Sequence, residues 1–440
     1  MDTLISNVTL VTMNEKMEVL FGAYLGVADG KISYIGTTAP EGTPSTIVDG
    51  TGMVAMPGLI NCHTHLATTA LRGYLDDVTG SEALEQQLMK EAKMDKRCAK
   101  ASALMGIAEC LRFGITSVSD LYYYPDATAE AAFEAGIKAN VALSAYRFID
   151  QNEEFDFDTD EQCRELVRVK DKWHGADEGR IRIDAGIHAE YISNHQLWEG
   201  LAGYASEQGL GMQLHLSATD REVESCLDRT GLEPGELLAC HRLFNVPALA
   251  AGCNALTEND RAILAKKKSS IVTTPMCDAK AGLTPVDIRQ NVKAGLNVAL
   301  GTGGAVECGN LDMFEVIRYA ALQARSASGD ASAMPAGAVL MMATVCGARA
   351  QNRADRCGML KEGMDADIIL VDFSAPHLIP CHNVLSGLTF SAKGGDVAMT
   401  MVQGKILYQN GQFPTIDLKS VVEELTGYAI PHLFEENANG

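Results

Sequence analysis

Pro57-Gly58-Leu59-Ile60-Asn61-Cys62-His63-Thr64-His65 carries the pair of side chains best suited to chemistry in this 440-residue chain. An apolar run leads into His-x-His, and residues i and i+2 of an extended strand point to the same face. Neutral imidazoles side by side can share a borderline divalent cation, zinc first, with iron and manganese as alternatives. A bare His-x-His is more often a solvated loop, but its position after an apolar strand and a Pro-Gly step favours metal ligation. A third imidazole, His215, closes the run Met212-Gln213-Leu214-His215-Leu216-Ser217, and a fourth, His188, closes Gly186-Ile187-His188-Ala189-Glu190-Tyr191. For His215 a satisfied core histidine is the alternative, and His188 alone reads more often as a hydrogen-bonded wall residue than as a ligand.

These residues need elements to bring them together, and the middle of the chain supplies a repeating pattern. Eight short apolar runs alternate with helical stretches: Met53–Asn61, Thr116–Leu121, Ala139–Tyr146, Arg180–His188, Met212–Ser217, Ala248–Asn254, Ser270–Met276 and Asn297–Gly301. Amphipathic segments such as Ala101–Phe113 and Leu311–Ala324 lie between them. Eight such units over roughly 300 residues predict an α/β fold of the (β/α)8 TIM-barrel type, whose functional groups gather at the C-terminal strand ends. A doubly wound open sheet fits less well, because no Gly-x-Gly-x-x-Gly follows an early strand and polar groups end many strands rather than one crevice.

Both chain ends are different in style. Leu4–Thr12, Ala23–Ala28 and Lys31–Gly36 read as strands, with a turn at Asp29-Gly30; Asp367–Phe373 and Val397–Tyr408 repeat the style, with turns at Gln403-Gly404 and Asn410-Gly411. The expected division is two β-rich ends, residues 1–54 and 364–440, flanking a barrel of residues 55–363.

Composition narrows the partners. With 36 Lys plus Arg against 57 Asp plus Glu, the net charge is 36 − 57 = −21, which argues against a broad nucleic-acid or anionic-membrane surface. No basic leader and no run of about 18 apolar residues is present, so a cytoplasmic protein acting on a small molecule is expected. The 12 cysteines form no Cys-x-x-Cys pair and read as reduced thiols, many of them core packing.

Together these segments resemble the amidohydrolase superfamily, in the branch holding cytosine, guanine, S-adenosylhomocysteine and chlorotriazine deaminase-type enzymes. The resemblance covers nearly the whole chain. It rests on the Pro57–His65 segment, Leu71-Arg72-Gly73, His188-Ala189-Glu190-Tyr191, Gln213–Ser217, Leu300–Ala305 with Asn310–Met313, and Gly358–Asp367. It implies a barrel with a small β-sandwich built from both chain ends, a homodimer, and one divalent metal held by His63, His65, His215 and a strand-eight aspartate, with His188 near the substrate.

Three positions depart from the pattern. The family's aspartate is Gly303, its strand-six histidine is Gly252 in Ala251-Gly252-Cys253, and its strand-five glutamate is Ala218 in His215-Leu216-Ser217-Ala218-Thr219. Hydrolysis at an amidine needs proton transfer to the departing nitrogen, and one positioned acid–base group is typically worth ~10²–10⁴-fold. The family's ordinary route therefore cannot run unchanged. Glu307, on the loop after strand eight, is the first candidate for a substitute base, with Glu190 and Asp278 behind it and a solvent-facing loop carboxylate as the plain alternative. Loss of three polar side chains is expected to enlarge the mouth and to favour an anionic ligand. Two readings follow: a metal-dependent hydrolase of non-peptide carbon–nitrogen bonds with a small heterocyclic substrate, or an inactive member acting as a small-molecule-binding or assembly protein.

Overall fold

The computed structural model describes residues 1–78, 80–148 and 154–435; residues 436–440, expected in the end unit, lie outside the described residues. The barrel strands are Leu59–His65, Ile115–Tyr122, Lys138–Leu143, Ile181–Gly186, Met212–Leu216, Ala248–Gly252, Ser270–Thr273 and Asn297–Leu300. Each pairs in parallel with the next. Three residues past the end of the eighth strand, Gly303-Gly304 pairs in parallel with Thr64 and His65 of the first. The two edges of the sheet thus belong to one short chain segment, and the sheet closes on itself.

The expected strand Met53–Asn61 is two strands. Met53–Pro57 pairs antiparallel with Ile368–Asp372 and parallel with Thr9-Leu10, whereas Leu59–His65 enters the barrel. The break falls at Pro57-Gly58, where proline has no N–H to continue a ladder. One eight-stranded sheet made from both chain ends results. Its hairpin turns are those that the sequence marks: Asp29-Gly30 and Gln403-Gly404 both hold positive φ, as a two-residue type I′ turn requires.

Apolar side chains sort accordingly. Ile5, Leu25, Ile368 and Met401 pack within the end sheet. A larger core runs between barrel strands and outer helices, and Ile60, Cys62, Val272 and Ala299 lie in a small separate cluster. The expected helices are Lys96–Arg112 and Met313–Ser328. Two others were not foreseen: Gly80–Glu91, and a helical run from Leu418 to Phe434, beyond the last expected strand and within the stretch expected to belong to the end β-unit. Among the described residues no helix is long and apolar enough to cross a membrane.

Candidate metal centre and active site

His63 and His65 end the first strand and His215 the fifth, so barrel closure brings them together. Their ligand nitrogens all lie within 4.8 Å of one another. The Nε2 atoms of His63 and His215 are 3.2 Å apart; two nitrogens bound tetrahedrally at 2.0–2.1 Å to zinc would stand about 3.3 Å apart. The separation therefore already matches one edge of a coordination tetrahedron.

The rings are fixed from behind. His65 Nδ1 lies 2.7 Å from the Leu121 carbonyl and His215 Nδ1 lies 2.8 Å from the His188 carbonyl. An Nδ1–H donated to a carbonyl leaves the Nε2 lone pair facing the centre. Burial, aided by repulsion from neighbouring imidazoles, pushes His215 down to about 4 and His63 well below the ordinary range; burial alone lowers His65, opposed by its bond to the Leu121 carbonyl. Neutral imidazole is the form that ligates metal. His188 joins the group, its ring centroid 4.8 Å from that of His215 and its Nδ1 3.1 Å from Ser144 Oγ. Tyr123 lies parallel to it at 6.5 Å, and Tyr146 and Tyr191 stand around the same wall.

The departed positions are not simply open. Gly303 has φ +71°, and a Cβ there would stand 2.6 Å from Cys277 Sγ, whose thiol donates to the Thr302 carbonyl at 3.0 Å. The expected enlargement of the mouth is thus absent at Gly303, because a thiol fills the space in which an aspartate side chain would begin. At Gly252 a Cβ would lie 3.3 Å from that of Ala218, so these two shortened residues adjoin one another.

Glu307 is not a solvent-facing carboxylate. The turn Gly304–Cys308 folds it inward; a Cβ on Gly304 would collide with its Oε2 and would lie 3.1 Å from His65 Cβ. Only glycine leaves room for this carboxylate beside His65. Oε1 accepts from Gln87 Nε2 at 3.1 Å, whereas Oε2 is buried without a partner. Burial raises its pKa, opposed by the Gln87 hydrogen bond. An orphaned carboxylate oxygen costs free energy unless something occupies it.

The other two candidates each have a partner on one oxygen and a buried second oxygen without one, Glu190 Oε1 and Asp278 Oδ2. Glu190 pairs with Arg229 at 2.5 Å, and Asp278 accepts from Thr274 at 3.3 Å. Cys62 points away from its flanking histidines, toward the Gly347 carbonyl. Sequence reasoning missed Gln87 and Glu91, both on the helix Gly80–Glu91. Gln87 donates to Glu91 at 3.2 Å as well as to Glu307, and burial lifts Glu91 to about 7, against the Gln87 bond and with help from the Glu307 charge. Their stretch, Leu84-Glu85-Gln86-Gln87-Leu88-Met89-Lys90-Glu91, carries no motif that would have singled them out.

The family model described as "Amidohydrolase family" matches residues 54–407. The 5-methylthioadenosine/S-adenosylhomocysteine deaminase of Thermoanaerobacter pseudethanolicus is 34% identical over 426 residues, covering 96% of this chain and 97% of that one. The 5'-deoxyadenosine deaminase of Methanosarcina acetivorans is 36% identical over 426 residues and 96% of each chain. Among solved structures, an adenosine deaminase from Xanthomonas campestris with bound zinc superposes with a TM-score of 0.90 at 29% identity, covering 97% of both chains.

Proposed function

The chain belongs to the amidohydrolase family, and on that premise we propose that it hydrolyses the exocyclic carbon–nitrogen bond of a planar amino-heterocycle of the adenine-nucleoside kind. His63, His65 and His215 hold one divalent ion of the zinc type, His188 meets the ring, and Glu307 moves the proton. One observation carries the reading: three imidazoles oriented for a tetrahedral ion stand beside a buried carboxylate with an unpartnered oxygen.

A bound divalent ion supplies Lewis-acid activation of water. This chain's own residues supply the rest. The Tyr123–His188 wall orients the ring. Glu307 Oε2 takes a proton from the attacking water as its oxygen bonds to the ring carbon, and returns it to the amino nitrogen. The carbon–nitrogen bond then breaks and the remaining hydroxyl proton passes to the neighbouring ring nitrogen, with water consumed, ammonia released and a ring carbonyl left behind. Burial raises the pKa of Glu307, which makes it a stronger base than a solvated carboxylate for the first half of that exchange. The relatives' names support the substrate class.

The test is ammonia release from adenosine, 5'-deoxyadenosine and 5'-methylthioadenosine by wild type, Glu307→Gln and His215→Ala. Glu307→Gln should lower kcat by ~10²–10⁴-fold while keeping its metal, and His215→Ala should lose both metal and turnover. Equal turnover by wild type and Glu307→Gln would remove Glu307 from the mechanism. A second reading, a binding protein without turnover, draws on Gly303, Gly252 and Ala218; tight nucleoside binding with no ammonia from any of the three compounds would select it.

A further inference from the structure

Away from the three-histidine centre, the start of the helix Lys96–Arg112 meets the helical run that ends at Phe434. There Asp95, Cys98 and His432 bring a carboxylate oxygen, a sulfur and an imidazole nitrogen within 4.8 Å of one another. We propose that these three side chains form a second metal site, selective for a zinc-type cation, that clasps the helical run Leu418–Phe434 onto the barrel.

The donor set decides the class of ion. Thiolate with imidazole and one carboxylate suits borderline zinc, whereas calcium and magnesium ask for oxygen ligands. Three protein donors leave one position for water. His432 Nε2 stands 3.8 Å from Asp95 Oδ2, too far for a hydrogen bond and about half an ångström wider than the ~3.3 Å edge of a zinc tetrahedron. A small inward shift of one exposed side chain closes the difference.

Supporting contacts already orient the donors. Asp95 Oδ1 accepts from the Cys98 backbone N–H at 2.7 Å and Oδ2 from the Tyr428 hydroxyl at 2.6 Å, so its carboxylate is fixed with lone pairs to spare. The Tyr428 ring stacks on His432 at 5.3 Å and 18°, and Arg97, ion-paired with Glu424, lies 3.7 Å from the centre of the Tyr428 ring. Cys98 is buried and His432 exposed, which gives the ion a deep ligand and an entry path. Burial and the Asp95 carboxylate push the Cys98 thiol up to about 11. Without metal it is protonated, so binding releases a proton and strengthens as pH rises.

A clasp here acts at a distance from its own ligands. Asp95 closes the short connection from helix Gly80–Glu91, which carries Gln87 and Glu91, so fixing that connection fixes the polar groups that face Glu307.

The test is Co²⁺ titration of the metal-free full-length protein, followed by near-ultraviolet absorption. Histidine ligands give no sulfur-to-cobalt charge-transfer band, so the histidine triad is silent there. The expected result is a band that saturates by two equivalents, since the silent triad takes one, disappears in Cys98→Ser, persists in Cys277→Ser and in His63→Ala, and needs more cobalt in His432→Ala; Zn²⁺ should displace it. No band in the wild type, or a band that survives in Cys98→Ser, overturns the proposal. If Cys98→Ser fails to fold, the exposed His432→Ala decides, and a cobalt affinity equal to wild type overturns it.

Discussion

At the scale of single residues, the unusual feature of this site is the pairing of Gly303 with Cys277. Glycine at φ +71° beside a thiol leaves no room for a larger side chain, so restoring the family's aspartate is a two-residue problem. Gly303→Asp alone should destabilise by ~1–3 kcal/mol through overpacking. Adding Cys277→Ala should recover part of that loss, because the obstructing sulfur is gone, and the double variant should hold metal at least as tightly as wild type. Urea midpoints of the four proteins and their zinc affinities measure both effects. If Gly303→Asp is as stable as wild type, the space beside Cys277 is larger than the structure indicates.

At the scale of elements, the helix Gly80–Glu91 governs what faces Glu307, and its Glu91 makes the protein's stability depend on pH. The folded pKa of Glu91 is about 7 against an ordinary 4.5, so the folded chain keeps a proton there that the unfolded chain gives up. Stability is therefore lost as pH rises from 4.5 through about 7. Glu91→Gln removes that contribution: it should match or slightly differ from wild type at pH 5 and have a higher Tm at pH 8. A Tm difference that does not grow with pH would contradict the burial of this carboxylate.

The same elements show what the sequence made legible. Two histidines spaced by two on an apolar strand declare themselves, because strand geometry alone puts them on one face; His215 and Glu307 follow from the ends of other strands. The helix Gly80–Glu91 gave no such signal, since a glutamine and a glutamate on a polar helical face look like solvated surface until the fold turns that face inward. The split of Met53–Asn61 between two sheets was written in Pro57-Gly58, but a local pattern does not say which sheet each half will join. Nor could spacing along the chain show that the thiol of Cys277 lies against Gly303.

At the scale of the whole molecule, the end sheet and the barrel are joined by a buried ionic knot. Lys138, at the start of the third barrel strand and fully buried, pairs with Asp365 at 2.9 Å and with Asp367, just ahead of the end-sheet strand Ile368–Asp372. Lys31 and Arg356 also reach Asp365, at 3.2 Å and 2.9 Å. Removing one partner of a buried pair leaves an uncompensated charge, at a typical cost of ~3–5 kcal/mol. Lys138→Met should destabilise by about that much in urea, because two carboxylates lose their shared cation. A loss under ~1 kcal/mol, the range of surface pairs, would show that the neighbouring Lys31 and Arg356 suffice.

The central claim is that the barrel mouth holds a metal through His63, His65 and His215. Elemental analysis of the purified full-length protein, wild type beside His63→Ala/His65→Ala and after reconstitution with zinc, iron or manganese, tests it most directly. The account predicts that the double variant loses one equivalent of divalent metal and all deaminase turnover, and keeps whatever metal Cys98 binds. Equal metal content in wild type and variant would contradict the three-histidine centre and, with it, the proposed hydrolysis.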